Sequence, residues 1–136
     1  ADHIILPEII SKEPLGPVVR HGDSQWADIV RWAHFVMLIG EEKGITSANV
    51  DDVKAKNANG VEGADAEIQR MLGIVDGKMG EGLGLSGDWA YNILKQVGNY
   101  SEAFERNVGK NTPLGLERGL NALWTQGGLQ YAPPVR

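Results

Sequence analysis

The residues whose types could carry chemistry are few and scattered. Gly82-Leu83-Gly84-Leu85-Ser86-Gly87 matches the pattern GxGxxG, and an apolar stretch follows from Trp89. In a dinucleotide site such glycines let backbone N–H groups approach a pyrophosphate at a helix start. That use needs a strand before the first glycine, and Gly77-Lys78-Met79-Gly80-Glu81 is not one. The stretch Gly77 to Gly87 therefore reads as a glycine-dense loop. His3, His21 and His34 are far apart, and no HExxH or tight carboxylate–histidine spacing joins them. Asp51–Asp52 and Glu41–Glu42 are adjacent pairs, and neighbours on a helix point in different directions, so neither pair converges on a substrate. Ser11, Ser24, Ser47, Ser86 and Ser101 lack a nucleophile-elbow context. Trp26, Trp32, Trp89 and Trp124 could stack a ligand, although tryptophan at helical spacing more often packs a core. Glu102 and Arg106 stand four apart, a helix-surface pair worth roughly 0.2–0.5 kcal/mol. No acid–base or nucleophile set emerges, which points away from an enzyme and implies no catalytic residue, metal or cofactor.

The elements that would hold these residues are mostly helical. Gly22 to Gly44 is the most strongly patterned run. Asp23 or Ser24 can cap it, Trp26, Ile29, Val30, Ala33, Met37 and Gly40 share one helix face, and Gly44 can stop it. Its second half is apolar nearly all round, which predicts a central helix buried from more than one side. The run from Ala33 to Gly40 is far shorter than the roughly 20 residues of a membrane span. Further helices are expected from a Thr46 or Ser47 cap to Lys56, over Ala64 to Leu72, and from Trp89 to about Val97 after a Ser86 or Asp88 cap. Two more are expected from Tyr100 to Val108 and from Pro113 to about Trp124. The tail LQYAPPVR should be extended, since two prolines cannot continue a helix. His3 to Ile10 and Val18–Val19 read as strand pieces interrupted by Pro7, Pro14 and Pro17, with no convincing partner strand later in the chain.

The chain has 136 residues, a single-domain size. Its net charge is −5 and its pI about 5.1, and it has no basic stripe, which argues against nucleic acid as a partner. It has no cysteine, so disulfides and thiolate metal sites are excluded. The start ADHIILPEII lacks the basic region and cleavage site of a signal peptide, leaving a cytoplasmic protein or a processed piece of an exported one.

Several longer stretches carry more than periodicity. LPEIISKEPLGPVVRHGDSQWADIVRW (6 to 32) resembles the periplasmic general L-amino-acid-binding proteins of polar amino-acid ABC importers. GITSANVD (44 to 51), NILKQVGNYSEAFERNVG (92 to 109), TPLGLERGLNALW (112 to 124) and the terminal GGLQYAPPVR are similar to the same family, in order along the chain. The resemblance is to the C-terminal part of that family. It implies the type II, α/β, two-lobed fold, with this chain mainly α behind an extended or strand-like N-terminal segment. Residues 1–22 would be crossover or hinge strands, and 23–136 the helical C-terminal part of the first lobe plus a family-specific extension. Glu13, Pro14 and Gly16 match the hinge-adjacent segment, a structural role.

The implied function is capture of L-amino acids in the periplasm for an ABC permease, through a complete parent protein. The family's ligand-gripping arginine and acidic residue come from upstream motifs absent here, so no ligand-binding residue is assigned. The implied partners are an L-amino acid, the membrane permease, and either the missing N-terminal part or a second copy covering the apolar N-terminal strands. The rival readings are a standalone helical interaction or oligomerisation module, and a small nucleotide-using enzyme built on Gly82 to Gly87.

Overall fold

The structure is a computed structural model, and it describes residues 3–4, 6–8, 10–11, 15–76 and 78–136. Helix α1, Ser24–Glu42, is the central element, as its pattern demands. The Asp23 carboxylate accepts the Trp26 N–H and begins it. Gly44, at φ +66°, turns the chain away in the left-handed region that a Cβ disfavours. Five short helices follow: α2 (Val50–Lys56), α3 (Ala66–Met71), α4 (Lys78–Leu83), α5 (Trp89–Gln96) and α6 (Tyr100–Asn107). Helix α1 packs on α4, α5 and α6, and α2 packs on α5. Val36, Leu38 and Ile39 of α1 meet Ile45, Val50, Met71, Leu72, Trp89 and Leu94 in one core. Full burial of side chains of this size is worth about 1.5–3 kcal/mol each.

Helices α1 and α5 approach closely at Gly40. A Cβ there would stand 2.6 Å from Leu94 Cδ2, so α1 and α5 meet where one residue has no side chain. The cap of α6 locks the next joint. Asn99 accepts the Glu102 N–H, and Glu102 accepts the Asn99 N–H, a reciprocal capping box.

Four expectations change. The glycine-dense loop contains helix α4. Burial of Leu83 and packing of Met79 on the core outweigh the poor helix propensity of its glycines. Gly80 is required there by contact, because a Cβ would lie 2.4 Å from Ser86 O. The expected helix from Pro113 is replaced by two 3-10 turns, Gly119–Asn121 and Trp124–Gln126, with a lone parallel bridge between Leu123 and Gln130. Gly115 and Gly119 sit at φ +58° and +47°, which a continuous right-handed helix excludes. Helix α2 is entered at Asn49, which exchanges hydrogen bonds with Thr46, while Ser47 turns to Glu102. Trp26, assigned to the core face of α1, is 52% exposed.

The N-terminal segment forms neither helix nor strand among the described residues, so the strand half of that expectation has no paired counterpart here. Strand geometry depends on a partner's N–H and C=O groups, and this segment meets none from the helical body. The tail is non-helical, as its prolines require, and closes against α3. Val135 donates its N–H to Glu67, and its carbonyl accepts both Nε and Nη2 of Arg70 at 3.1 Å.

Candidate functional site

Ile4, Leu6, Ile10, Leu15 and Val18 form an apolar run that the fold leaves uncovered, with exposures between 68% and 97%. Of the three hinge-segment residues, Glu13 and Pro14 lie outside the described residues. Gly16 is exposed, with nothing within 4 Å of its Cβ position. The segment touches the helical body lower down. Pro17 and Val19 face Ala27, Val30, Arg31 and His34 of α1 across a cavity of about 290 Å³. Burial holds the His34 imidazole below its ordinary pKa of 6.5, against the opposing effect of a hydrogen bond to the Gln130 side chain. His34 also meets the Tyr100 ring edge-on at 5.5 Å.

The polar groups elsewhere close on one another. Glu102 accepts the Ser47 hydroxyl at 2.6 Å and the N–H groups of Ser47 and Asn99. Burial raises its carboxyl pKa, but the Ser47 hydroxyl, these N–H groups and the Arg106 charge outweigh it and hold it below the ordinary value. The expected Glu102–Arg106 ion pair is absent, because Arg106 donates to Val97 O instead. Arg118 pairs with Glu41 at 3.0 Å and lies over the Tyr100 and Phe104 rings. Lys43 bridges Asp65 and Glu67, which raises its pKa and lowers that of Asp65. Asp51 accepts the Lys95 ammonium and the Tyr91 hydroxyl, both at 2.7 Å, and the two hold its carboxyl down. Asp51 and Asp52 thus do not act as a pair. The Arg118–Glu41 and Ser47–Glu102 contacts join residues 77 and 55 apart, beyond any periodicity argument.

The glycine motif does not form a nucleotide cradle. Gly82 and Leu83 end α4, and Gln25 of α1 donates to Leu83 O. Among the described residues, His3 and His21 are exposed on separate stretches, His34 is half-buried, and no three metal-binding side chains converge. What the arrangement offers is shape: a rigid helical body with an uncovered apolar N-terminal edge.

No known family profile matches the chain. Individual curated proteins do. It is 57% identical over 136 residues to the general L-amino acid-binding periplasmic protein of Rhizobium johnstonii, over 99% of this chain and 38% of that protein. It is 56% identical to the glutamate/glutamine/aspartate/asparagine-binding protein of Rhodobacter capsulatus, over 100% of this chain and 38% of that one. A putative amino-acid ABC transporter-binding protein of Escherichia coli is 58% identical, with the same coverage. The chain is homologous, end to end, to part of the periplasmic amino-acid-binding proteins of ABC transporters. It spans 38% of the length of these relatives. The solved structure of an ABC transporter periplasmic binding protein from Brucella ovis, with glutathione bound, has the same fold over 98% of this chain. The TM-score is 0.86 at 54% identity, and the match takes in 40% of that protein. The helical body therefore shares its fold with a section of that periplasmic binding protein.

Proposed function

We propose that this chain is the C-terminal part of a periplasmic solute-binding protein that captures L-amino acids for import through an ABC permease. The observation that carries the reading is identity above one half, along the whole chain, to proteins named for amino-acid binding. In this reading residues 1–22 supply the crossover between lobes, and 23–136 supply the helical flank of the first lobe with its extension. Glu13, Pro14 and Gly16 belong to the hinge-adjacent segment, in a structural role. The ligand-gripping groups belong to the larger remaining part of the protein. The activity is closure of two lobes around an unchanged solute, followed by docking on the permease. No bond is made or broken, so the protein is a carrier and not an enzyme.

The uncovered Ile4 to Val18 run supports the same reading, because apolar backbone edges in native proteins are paired or covered. The remaining part of the Rhizobium relative, expressed as a separate polypeptide, should co-elute with this chain as a one-to-one complex on gel filtration. Self-association of this chain alone, unchanged when that part is added, would favour the standalone interaction module. A lone, well-dispersed monomer in both samples would contradict both readings.

A further inference from the structure

The last turn of α1 carries an electrostatic anomaly. A helix C-terminus is the negative pole of the helix dipole and favours cations. Helix α1 ends instead in Glu41–Glu42, with no basic residue in its last turn. The following Lys43 is held by Asp65 and Glu67, and Glu41 is neutralised by Arg118. Glu42 has no ion-pair partner among the described residues. It lines a cavity of about 260 Å³ whose other walls include Trp124, Tyr131 and Pro134, together with the mutually paired Lys43 and Glu67. The two rings meet edge to face with centroids 6.0 Å apart, yet remain 53% and 60% exposed. Backbone bonds fix this wall, since Trp124 donates its N–H to Gln130 O at 2.9 Å. The cavity thus combines an unpaired carboxylate, the negative end of a helix and two accessible aromatic surfaces. Each of the three attracts a cation, and the aromatic surfaces suit a flat, weakly hydrated one.

We propose that Glu42, Trp124 and Tyr131 form a docking pocket for the guanidinium of an arginine side chain on a partner protein. The guanidinium lies against Trp124 or Tyr131 and donates to the Glu42 carboxylate. This proposal is independent of amino-acid capture, which reads the free α-amino and α-carboxylate groups of a solute.

The test is an NMR titration of the full chain with N-acetyl-L-arginine N-methylamide, which presents the side chain as a polypeptide does. The expected result is saturable shifts confined to the Trp124 indole N–H and the Glu42 and Tyr131 amides. Glu42→Gln should weaken binding about fivefold, as should Trp124→Ala read at the Tyr131 amide. Unchanged spectra elsewhere in each variant confirm that the fold survives. Equal shifts with the neutral citrulline analogue would overturn the proposal, as would a linear response without saturation. Unchanged affinity in Glu42→Gln would do the same. Free L-arginine binding far more tightly than the blocked form would place the recognition on the α-groups and also overturn it.

Discussion

Asn99 is a buried polar side chain with both ends in use. Its carbonyl oxygen accepts the Glu102 N–H, and its amide donates to Ile45 O at 2.9 Å. Asn99→Ala removes a helix cap and strands a buried carbonyl, which together should cost about 2–3 kcal/mol in urea unfolding. A loss no larger than that of an exposed cap would show that Ile45 O finds another donor. His34 sets a pH dependence. Its pKa is lowered by burial in the folded chain, so between the ordinary value of 6.5 and that lowered value the unfolded chain binds more protons. Stability is therefore full above about pH 7 and falls as the pH drops below 6.5. His34→Gln should flatten that window and leave the steeper acid limb unchanged. The acid limb belongs to carboxylates held below their ordinary values, such as Asp65 and Glu102, whose stabilisation is lost as they protonate. Thermal melts across the pH range separate the two. A lone histidine inside an apolar run makes burial at position 34 legible in the sequence. The Ser47–Glu102 contact is not legible, because it depends on two distant turns meeting.

Among the elements, α1 was readable from its cap, its apolar second half and its stop, all within 22 residues. Helices α3 and α6 were readable from apolar spacing, whereas the side chains that cap them, Asp65 and Asn99, emerge only in the structure. Reading failed where glycine misleads. In α4 glycines sit inside a helix because tertiary contact requires them, whereas at Gly115 and Gly119 they prevent the helix that Leu116, Leu120 and Leu123 suggest. Local pattern cannot separate these cases, because the deciding atoms come from Ser86 O in one and from backbone sign in the other. The α1–α5 joint gives a sharp test of such contact. Gly40→Ala gains helix propensity of about 1 kcal/mol but forces a Cβ to 2.6 Å from Leu94, a side chain fully buried. The net effect should be a loss of about 1–2 kcal/mol. In a Leu94→Ala background the same substitution should be neutral or stabilising, and an undiminished penalty would place the strain elsewhere.

At the scale of the whole molecule, the helical core is closed by the C-terminal tail, while the described apolar residues of the N-terminal segment are exposed. The core around α1 closes with the tail, where Ala132 and Val135 are buried and Arg70 and Glu67 hold the Val135 backbone. Among the described residues of the N-terminal segment, Ile4, Leu6, Ile10, Leu15 and Val18 have no such closure. The family was legible because long blocks such as NILKQVGNYSEAFERNVG carry far more information than a six-residue glycine pattern. A ligand site was not legible in the sequence, and in the structure the polar clusters around Glu102, Asp51, Lys43 and Arg118 are joined by internal hydrogen bonds and ion pairs. The central claim is that this chain supplies one flank of an amino-acid-binding protein and not its grip. Calorimetric titration with L-glutamate, L-glutamine, L-aspartate and L-asparagine tests it most directly. It would be run on this chain alone, and on this chain joined behind the remaining sequence of the Rhodobacter relative. The account predicts no binding heat from the chain alone and one-to-one binding by the joined protein. Saturable binding by the chain alone, or a folded joined protein that binds none of the four, would contradict it.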